Sequence, residues 1–272
     1  MSYQLGVTQW SLSGANGYTM AMAKKLGIQA IQLEIGSYEK GLSLCQKDLQ
    51  GYYLADSQAY DINLLPLALN ALCDHAMTGG LESEEGKIAK EIIEVGVQTA
   101  ADMKLEGVTM PSFFASYIHH ANDYHHTVEA LRYACVLAKA HDMVVYTENV
   151  LDAQGQTKLF ADCAMDNLRL LFDSQNYAVF GYDYAVEVLS AHWDKLGTHL
   201  HVKDGGNMGS MLLGTGTSPF AQVMTVLAER EYKGTIVVEN NYAELPLRLH
   251  QSDYMANLRT DMATVHRLMK KG

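Results

Sequence analysis

The stretch Thr127–Asn149, TVEALRYACVLAKAHDMVVYTEN, joins a predicted helix to a predicted strand. In its first part, the apolar residues Val128, Leu131 and Cys135 recur at helical spacing and share one face. Its second part, Met143–Asn149, is a short apolar run rich in β-branched residues, which is typical of a buried strand. A helix followed directly by such a strand is the repeating unit of proteins with a parallel sheet.

The same unit recurs along the chain and predicts an α/β protein. Eight runs are predicted as strands: Gln4–Trp10, Ala30–Gly36, Ile62–Asn70, Gly107–Pro111, Met143–Asn149, Leu168–Asp173, Thr198–Lys203 and Thr235–Asn240. Amphipathic stretches such as Glu84–Lys104 lie between them. Eight such units in 272 residues favour a single (β/α)8 TIM barrel, so we expect residues 1–272 to form one domain. The alternative is an open, doubly wound sheet, but that fold normally has a Gly-rich phosphate loop after its first strand, where this chain has Gln9–Leu12.

Composition and charge exclude several classes of protein. The chain has 31 acidic against 20 basic residues and a formal charge of -11, which argues against a nucleic-acid partner. Its apolar runs are too short to span a membrane, and Met1–Leu5 does not begin a secretion signal. The four cysteines are scattered and form no Cys-x-x-Cys pair, as expected for free thiols in a reducing compartment. We therefore expect a cytoplasmic protein with neither nucleic-acid nor membrane partners.

Ligand-type side chains fall at the ends of four successive predicted strands. Strands five, six and eight end in the carboxylates Glu148, Asp173 and Glu239. In strand seven, the two-residue period of a strand puts His201 and Lys203 on one face. Catalytic groups of a TIM barrel come from the carboxyl ends of its strands, so these side chains are expected to surround one point.

Three carboxylates and one imidazole suit a divalent cation that prefers oxygen ligands. We predict one such ion per chain, with Mn²⁺ preferred and Mg²⁺, Co²⁺ or Zn²⁺ as alternatives. Zn²⁺ more typically recruits further His or Cys ligands. The competing interpretation is that each residue simply faces solvent at a strand end, and four such residues on successive strands weigh against it.

Short motifs in matching order resemble one known family over nearly the whole chain. They are GIQAIQLE (Gly27–Glu34), TEN (Thr147–Asn149), FDS (Phe172–Ser174), HVKD (His201–Asp204), LGTG (Leu213–Gly216) and VEN (Val238–Asn240). They are similar to those of the xylose isomerase-like TIM barrels, a family of sugar and sugar phosphate isomerases and epimerases. The resemblance implies a metal site of Glu148, Asp173, His201 and Glu239, in which the two glutamates also act as the acid/base pair.

The chain departs from the family pattern at positions that would contact substrate. Asn176 stands where many of these epimerases have a second His, and Gln154 stands where ketose 3-epimerases tend to have an acid. Many of these enzymes have an Arg shortly after strand seven, where this chain offers only Lys203. The candidate substrate-binding residues are Trp10, Glu34, Asn70, Gln154, Asn176 and Lys203. Core packing is the alternative for Trp10, and a structural role or a surface salt bridge is the alternative for Glu34 and Lys203.

Two further segments have motifs that suggest ligands. His119–His126 is rich in histidine, but Asn122 or Asp123 is predicted as a helix N-cap and the histidines as exposed. Gly214–Pro219 is predicted as a loop that leads through a Ser cap into a helix with Pro at its first position, an arrangement that can bind phosphate. Since the loop has no basic neighbour in sequence, we expect an unphosphorylated substrate.

The predicted function is that of a metal-dependent isomerase or epimerase of a keto-sugar, keto-inositol or similar polyol. Such an enzyme removes a proton next to a carbonyl, the cation stabilises the resulting enediolate, and two carboxylates move the proton. A lyase or dehydratase of a keto-sugar or keto-glycoside, and a sugar-binding barrel without catalysis, remain alternatives. An endonuclease-IV-like enzyme would need more histidines at the strand ends. The expected partner is a small sugar or polyol, and homo-oligomerisation stays open.

Overall fold

The computed structural model describes residues 3–12, 16–206, 209–250 and 253–270. Its strands are β1 (Gln4–Thr8), β2 (Ala30–Gln32), β3 (Asn63–Leu64), β4 (Leu67–Ala68), β5 (Gly107–Pro111), β6 (Val144–Glu148), β7 (Leu168–Leu170), β8 (His199–Val202) and β9 (Thr235–Val238). Its α-helices are α1 (Thr19–Leu26), α2 (Lys47–Tyr60), α3 (Glu84–Asp102), α4 (Ala121–Lys139), α5 (Ala153–Cys163), α6 (Asn176–Val179), α7 (Ala185–Ala191), α8 (Phe220–Glu229), α9 (Leu247–His250) and α10 (Tyr254–Met269).

The chain divides into two compact units. The first comprises Met1–Gln32, Tyr60–Asn63 and Phe172–Gly272, and the second comprises Leu33–Ala59 and Leu64–Leu171. The sheet of the first unit has the strand order β3-β2-β1-β9-β8, and that of the second has the order β4-β5-β6-β7. The pairs β1–β2, β1–β9 and β8–β9 are parallel in the first sheet, as are β4–β5, β5–β6 and β6–β7 in the second.

Burial on both faces explains why the strands read as apolar runs. Val7, Val145 and Ile236 have no exposed surface. Such strands pair in parallel and need helical crossovers, which the amphipathic stretches supply. At the start of β5 only glycine fits, because a Cβ atom on Gly107 would lie 1.8 Å from the carbonyl oxygen of Val144 on the neighbouring strand.

All eight predicted strands are present, although several end earlier than predicted. The third is divided into β3 and β4, while β1 ends at Thr8 and β7 ends at Leu170. Trp10 therefore lies in a 3₁₀ turn, Gln9–Leu12, rather than at a strand end. The prediction of one domain over residues 1–272 stays a prediction.

Both predicted helix starts are wrong in detail. The N-cap of α4 is His120 instead of Asn122 or Asp123. Asp123 serves the helix start from inside the first turn, since its Oδ2 accepts hydrogen bonds of 2.9 Å from the backbone N–H of His119 and of His120. In α8 the N-cap is Pro219, because the Ser218 hydroxyl donates to Asp204 instead of capping the helix. Among the described residues, no helix combines the length and the apolar character that a membrane span requires.

Candidate metal centre

Three of the four predicted metal ligands meet in the first unit. His201 lies on β8 and pairs as a parallel bridge with Asp173, while Glu239 directly follows β9. The Nδ1 atom of His201 is 3.1 Å from Oε2 of Glu239. The ammonium of Lys203 lies 2.8 Å from the same Oε2 atom and 3.6 Å from Oδ2 of Asp173. Asp173, His201, Lys203 and Glu239 thus lie together in the first unit.

Asp173 is held by the backbone that follows it. Its Oδ1 atom accepts hydrogen bonds from the backbone N–H of Gln175 at 2.7 Å and of Asn176 at 2.6 Å. Its Oδ2 atom is buried and has no hydrogen-bond partner among the described residues. Buried carboxylate oxygens are nearly always paired, so this atom is suited to bind a cation. Asn176, a predicted substrate contact, starts α6 and contributes its backbone here.

The other half of the cluster is organised around Glu239. The indole Nε1–H of Trp10 donates to Oε1 of Glu239 at 3.0 Å, which leaves Oε2 facing His201 and Lys203. The ring of Trp10 also meets that of His201 edge to face, at 6.4 Å between centroids. Trp10 is half-buried beside the cluster. It therefore orients a predicted ligand, a role that the sequence does not indicate.

A second residue outside the predicted set is Gln32, the last residue of β2. Its Oε1 atom accepts a 2.6 Å hydrogen bond from Nε2 of His201. Gln32 has no exposed surface. The only sequence signal for it is inward parity with Glu34, two residues later in the predicted second strand.

Burial and charge act in opposite directions on the two carboxylates. Burial raises the pKa of Asp173, and the ammonium of Lys203 only partly opposes this effect. At Glu239 burial also favours the neutral acid, but the ammonium of Lys203 outweighs it and lowers the pKa of that carboxyl. Glu239 is therefore ionised at neutral pH. Two carboxylates and an imidazole within reach of one point form a donor set that fits a divalent cation.

The second unit contains the remaining predicted site residues. Glu148 is the last residue of β6 and is 7% exposed. Glu34 accepts a 3.1 Å hydrogen bond from Nδ2 of Asn70, so these two candidate substrate contacts lie together. Gln154 is exposed in the first turn of α5.

A second group of ligand-type side chains lies on α4 in the same unit. Nε2 of His125 is 3.4 Å from Oε1 of Glu129, and Nδ1 of His126 is 2.8 Å from Oε2 of Glu129. The side chains of His125 and Glu129 are 67% and 48% exposed. The three side chains thus contact one another within one turn of the helix, on its surface.

The loop before α8 is organised by one carboxylate of the first unit. Oδ2 of Asp204 accepts hydrogen bonds of 2.9 Å from the backbone N–H of Gly214 and of Gly216. Oδ1 of Asp204 accepts from the backbone N–H of Gly205 at 2.8 Å and from the hydroxyl of Ser218 at 2.7 Å. These backbone donors, which could have bound a phosphate, are thus bonded to an internal anion.

Comparison with known proteins is consistent with this arrangement. A family model described as a xylose isomerase-like TIM barrel matches residues 20–263. A 2-epi-5-epi-valiolone 7-phosphate 2-epimerase from Actinoplanes sp. is 27% identical over 272 residues, covering 98% of this chain and 95% of its own. Among solved structures, a xylose isomerase domain protein from Planctomyces limnophilus has a TM-score of 0.76 at 16% identity, covering 99% of this chain and 97% of that one. An L-ribulose 3-epimerase has a TM-score of 0.75 at 16% identity, covering 99% and 95%.

Proposed function

Because the chain belongs to the xylose isomerase-like TIM barrel family, we propose that it is a metal-dependent isomerase or epimerase of a keto-sugar or keto-cyclitol. Its fold is the (β/α)8 TIM barrel of that family. The similar Actinoplanes protein is named as an epimerase, and a structural neighbour is named as a sugar epimerase. The protein is an enzyme that acts on sugars or closely related polyols.

The observation that carries this proposal is the juxtaposition of Asp173, His201 and Glu239 beside Lys203. We propose that these three residues hold one divalent ion together with Glu148. Glu148 ends β6, and a TIM barrel gathers the carboxyl ends of its strands at one face. With three carboxylates among the four ligands, Mn²⁺ is the proposed ion and Mg²⁺, Co²⁺ or Zn²⁺ are alternatives.

The proposed chemistry is proton transfer at a carbon next to a carbonyl. A bound divalent ion would act as a Lewis acid and stabilise the negative charge that develops on the substrate oxygen. Glu148 and Glu239 are the proposed acid/base pair, one taking the proton from the carbon and the other returning it. Lys203 keeps Glu239 ionised and can donate to a substrate oxygen, while the Trp10 N–H holds Oε1 of Glu239 in place.

The remaining polar residues are proposed to contact the substrate. In the first unit these are Trp10, Asn176 and Lys203, and in the second unit Glu34, Asn70 and Gln154. Asn70 and Glu34 are hydrogen-bonded to each other, so these two proposed contacts lie side by side. Cytoplasmic location and assembly into a homo-oligomer stay predictions.

We further propose that the substrate is not a phosphate ester. The substrate named for the similar Actinoplanes protein is a 7-phosphate. In this chain, Asp204 occupies the backbone N–H groups of Gly214 and Gly216, and a phosphate at that loop would meet its negative charge.

The test is a substrate screen with added Mn²⁺. Ketoses, keto-inositols and 3-keto-glycosides are offered in D₂O with and without a phosphate group, and products are identified by NMR and mass spectrometry. Deuterium incorporation next to the carbonyl without change of skeleton is expected. It should disappear in Glu148→Gln and Glu239→Gln but persist in His126→Ala.

Two outcomes would contradict the proposal. Loss of water or of an aglycone would assign a lyase or dehydratase, and full activity in both glutamate variants would exclude the proposed acid/base pair. Turnover of the phosphate esters alone would refute the proposed role of Asp204.

A further inference from the structure

Gln32 lies between two histidines of β8. His199 and His201 point to the same side of the strand, with 6.1 Å between their ring centroids, and are 0% and 1% exposed. The Oε1 atom of Gln32 is 2.6 Å from Nε2 of His201, and its Nε2 atom is 3.4 Å from Nε2 of His199. The single amide group of Gln32 on β2 thus contacts both rings of β8, although β1 and β9 lie between these two strands in the sheet.

The oxygen of a side-chain amide accepts hydrogen bonds, whereas its nitrogen donates them. A carbonyl oxygen only accepts hydrogen bonds, so the Nε2 atom of His201 carries the proton in this contact. The lone pair of the neutral ring then lies on Nδ1, the nitrogen that faces Oε2 of Glu239. An imidazole binds a metal through its unprotonated nitrogen, and the hydrogen bond at the other nitrogen sets which one that is.

His199 explains why the amide keeps this orientation. The amide nitrogen of Gln32 can only donate, so it faces a ring that accepts at Nε2. A flipped Gln32 amide would point a donor at the Nε2–H of His201 and lose both contacts.

We propose that Gln32 is a positioning residue that, through its contact with His199, fixes the tautomer of His201 and so presents Nδ1 to the metal ion. The inference rests on the proposed metal site. It assigns to β2 a role in metal affinity without direct contact with the metal.

Three variants separate this role from a merely structural one. Gln32→Met has similar length but no acceptor, whereas Gln32→Glu keeps an acceptor for His201. Gln50→Met is the matched control, because Gln50 is also buried and its amide donates to the backbone oxygens of Leu44 and Cys45.

Titration of the metal-free proteins with Mn²⁺ by calorimetry is the first measurement. We expect Gln32→Met to weaken Mn²⁺ binding about 10- to 100-fold, the usual effect of losing a partner of a ligating histidine. Gln32→Glu should recover most of the affinity, and Gln50→Met should bind as the wild type does. Equal affinity of wild type and Gln32→Met would overturn the inference and leave the proposed function intact.

Nitrogen-15 NMR of the Zn²⁺-loaded wild type is the second measurement and needs no variant. A slowly exchanging Nε2–H on His201 is expected. A ring that is protonated at Nδ1 would overturn the inference even if Gln32→Met fails to fold. If the wild type binds neither Mn²⁺ nor Zn²⁺, the proposed function itself is wrong, a result distinct from equal binding by the variant.

Discussion

The chain brings histidine and carboxylate side chains together in two places, and the two clusters are built in opposite ways. In the first unit, Asp173, His201 and Glu239 are largely buried at strand ends. In the second unit, His125 and Glu129 belong to an exposed cluster on α4. Both clusters have the residue types that bind metal ions, so residue type alone does not distinguish them.

What distinguishes them is the layer of residues behind the ligands. The buried carboxylates and imidazole are held by the Trp10 N–H, the Gln32 carbonyl and two backbone N–H groups. On α4, His125 and His126 instead pair with Glu129 at helical spacing in contact with water. Surface pairs of this kind contribute at most about 1 kcal/mol to stability. A site is preorganised by its supporting contacts, and the exposed cluster has few.

The largest expected effect concerns Glu239 in the buried cluster. Glu239→Gln removes a proposed acid/base group and should lower kcat about 10²- to 10⁴-fold, the usual range for such groups. Initial rates with the best substrate of the screen give the measurement, with His126→Ala as the control from the exposed cluster. A variant that retains wild-type kcat would remove the functional difference between the two clusters.

The next effect is on stability in the presence of metal. At a free Mn²⁺ concentration 100 times Kd, the ion should stabilise the wild type by about 2.7 kcal/mol, and this gain should vanish on chelation. Asp173→Asn loses the charge of the Oδ2 atom that faces the cluster and should show little of the gain. Thermal unfolding with and without Mn²⁺ tests this. An equal Mn²⁺-dependent rise of Tm in both proteins would show that the ion binds elsewhere.

Asp261 is a buried carboxylate that belongs to neither cluster, so it shows what burial alone does to a carboxyl group. Burial raises the pKa of Asp261 to about 6, although Tyr242 and Asn240 donate to it. The folded state therefore holds this proton more tightly than the unfolded state, whose carboxyl titrates near pH 4. The associated stability is present below about pH 4 and is lost as pH rises to about 6.

Relative to Asp261→Asn, the wild type should thus lose up to about 3 kcal/mol of unfolding free energy over that pH range. Urea unfolding at several pH values is the measurement, and Mn²⁺ affinity should not change. Parallel stability profiles for the two proteins would contradict the expectation.

The smallest expected effect belongs to the exposed cluster. His125→Ala and His126→Ala should each change the unfolding free energy by less than about 1 kcal/mol, as is usual for exposed ion pairs. Calorimetry of the double variant should still find one tightly bound Mn²⁺ ion per chain. A fall in the number of tight sites would show that α4 binds metal and would break the comparison.

The side chains at the strand ends could be predicted because successive side chains of a strand point to opposite faces of the sheet. Strand order predicts that Glu148, Asp173, His201 and Glu239 converge, and in the first unit Asp173, His201 and Glu239 do lie together, beside Lys203. The supporting contacts were not predictable. Gln32 contacts His201 across more than 160 positions of sequence, and the Trp10 indole contacts Glu239 from the 3₁₀ turn that follows β1.

Helix starts show the same limit at short range. Asn122 and Asp123 are common capping residues, yet the helix α4 begins after His120, with Asp123 serving the backbone from its first turn. Capping preferences of neighbouring residues differ by about 1 kcal/mol or less, so residue type alone does not decide among them.

The carboxylate of Asp204 has a consequence for the energetics of binding. A Cβ atom on Gly216 would lie 2.3 Å from Oδ1 of Asp204, so the loop is closed around this carboxylate as tightly as its backbone permits. A flexible loop that becomes ordered when it binds a ligand loses conformational entropy, and this loss weakens binding. In this chain the carboxylate of Asp204 accepts hydrogen bonds from residues 214–218 and so orders them. The conformational entropy of these residues is therefore lost during folding, when the hydrogen bonds to Asp204 form.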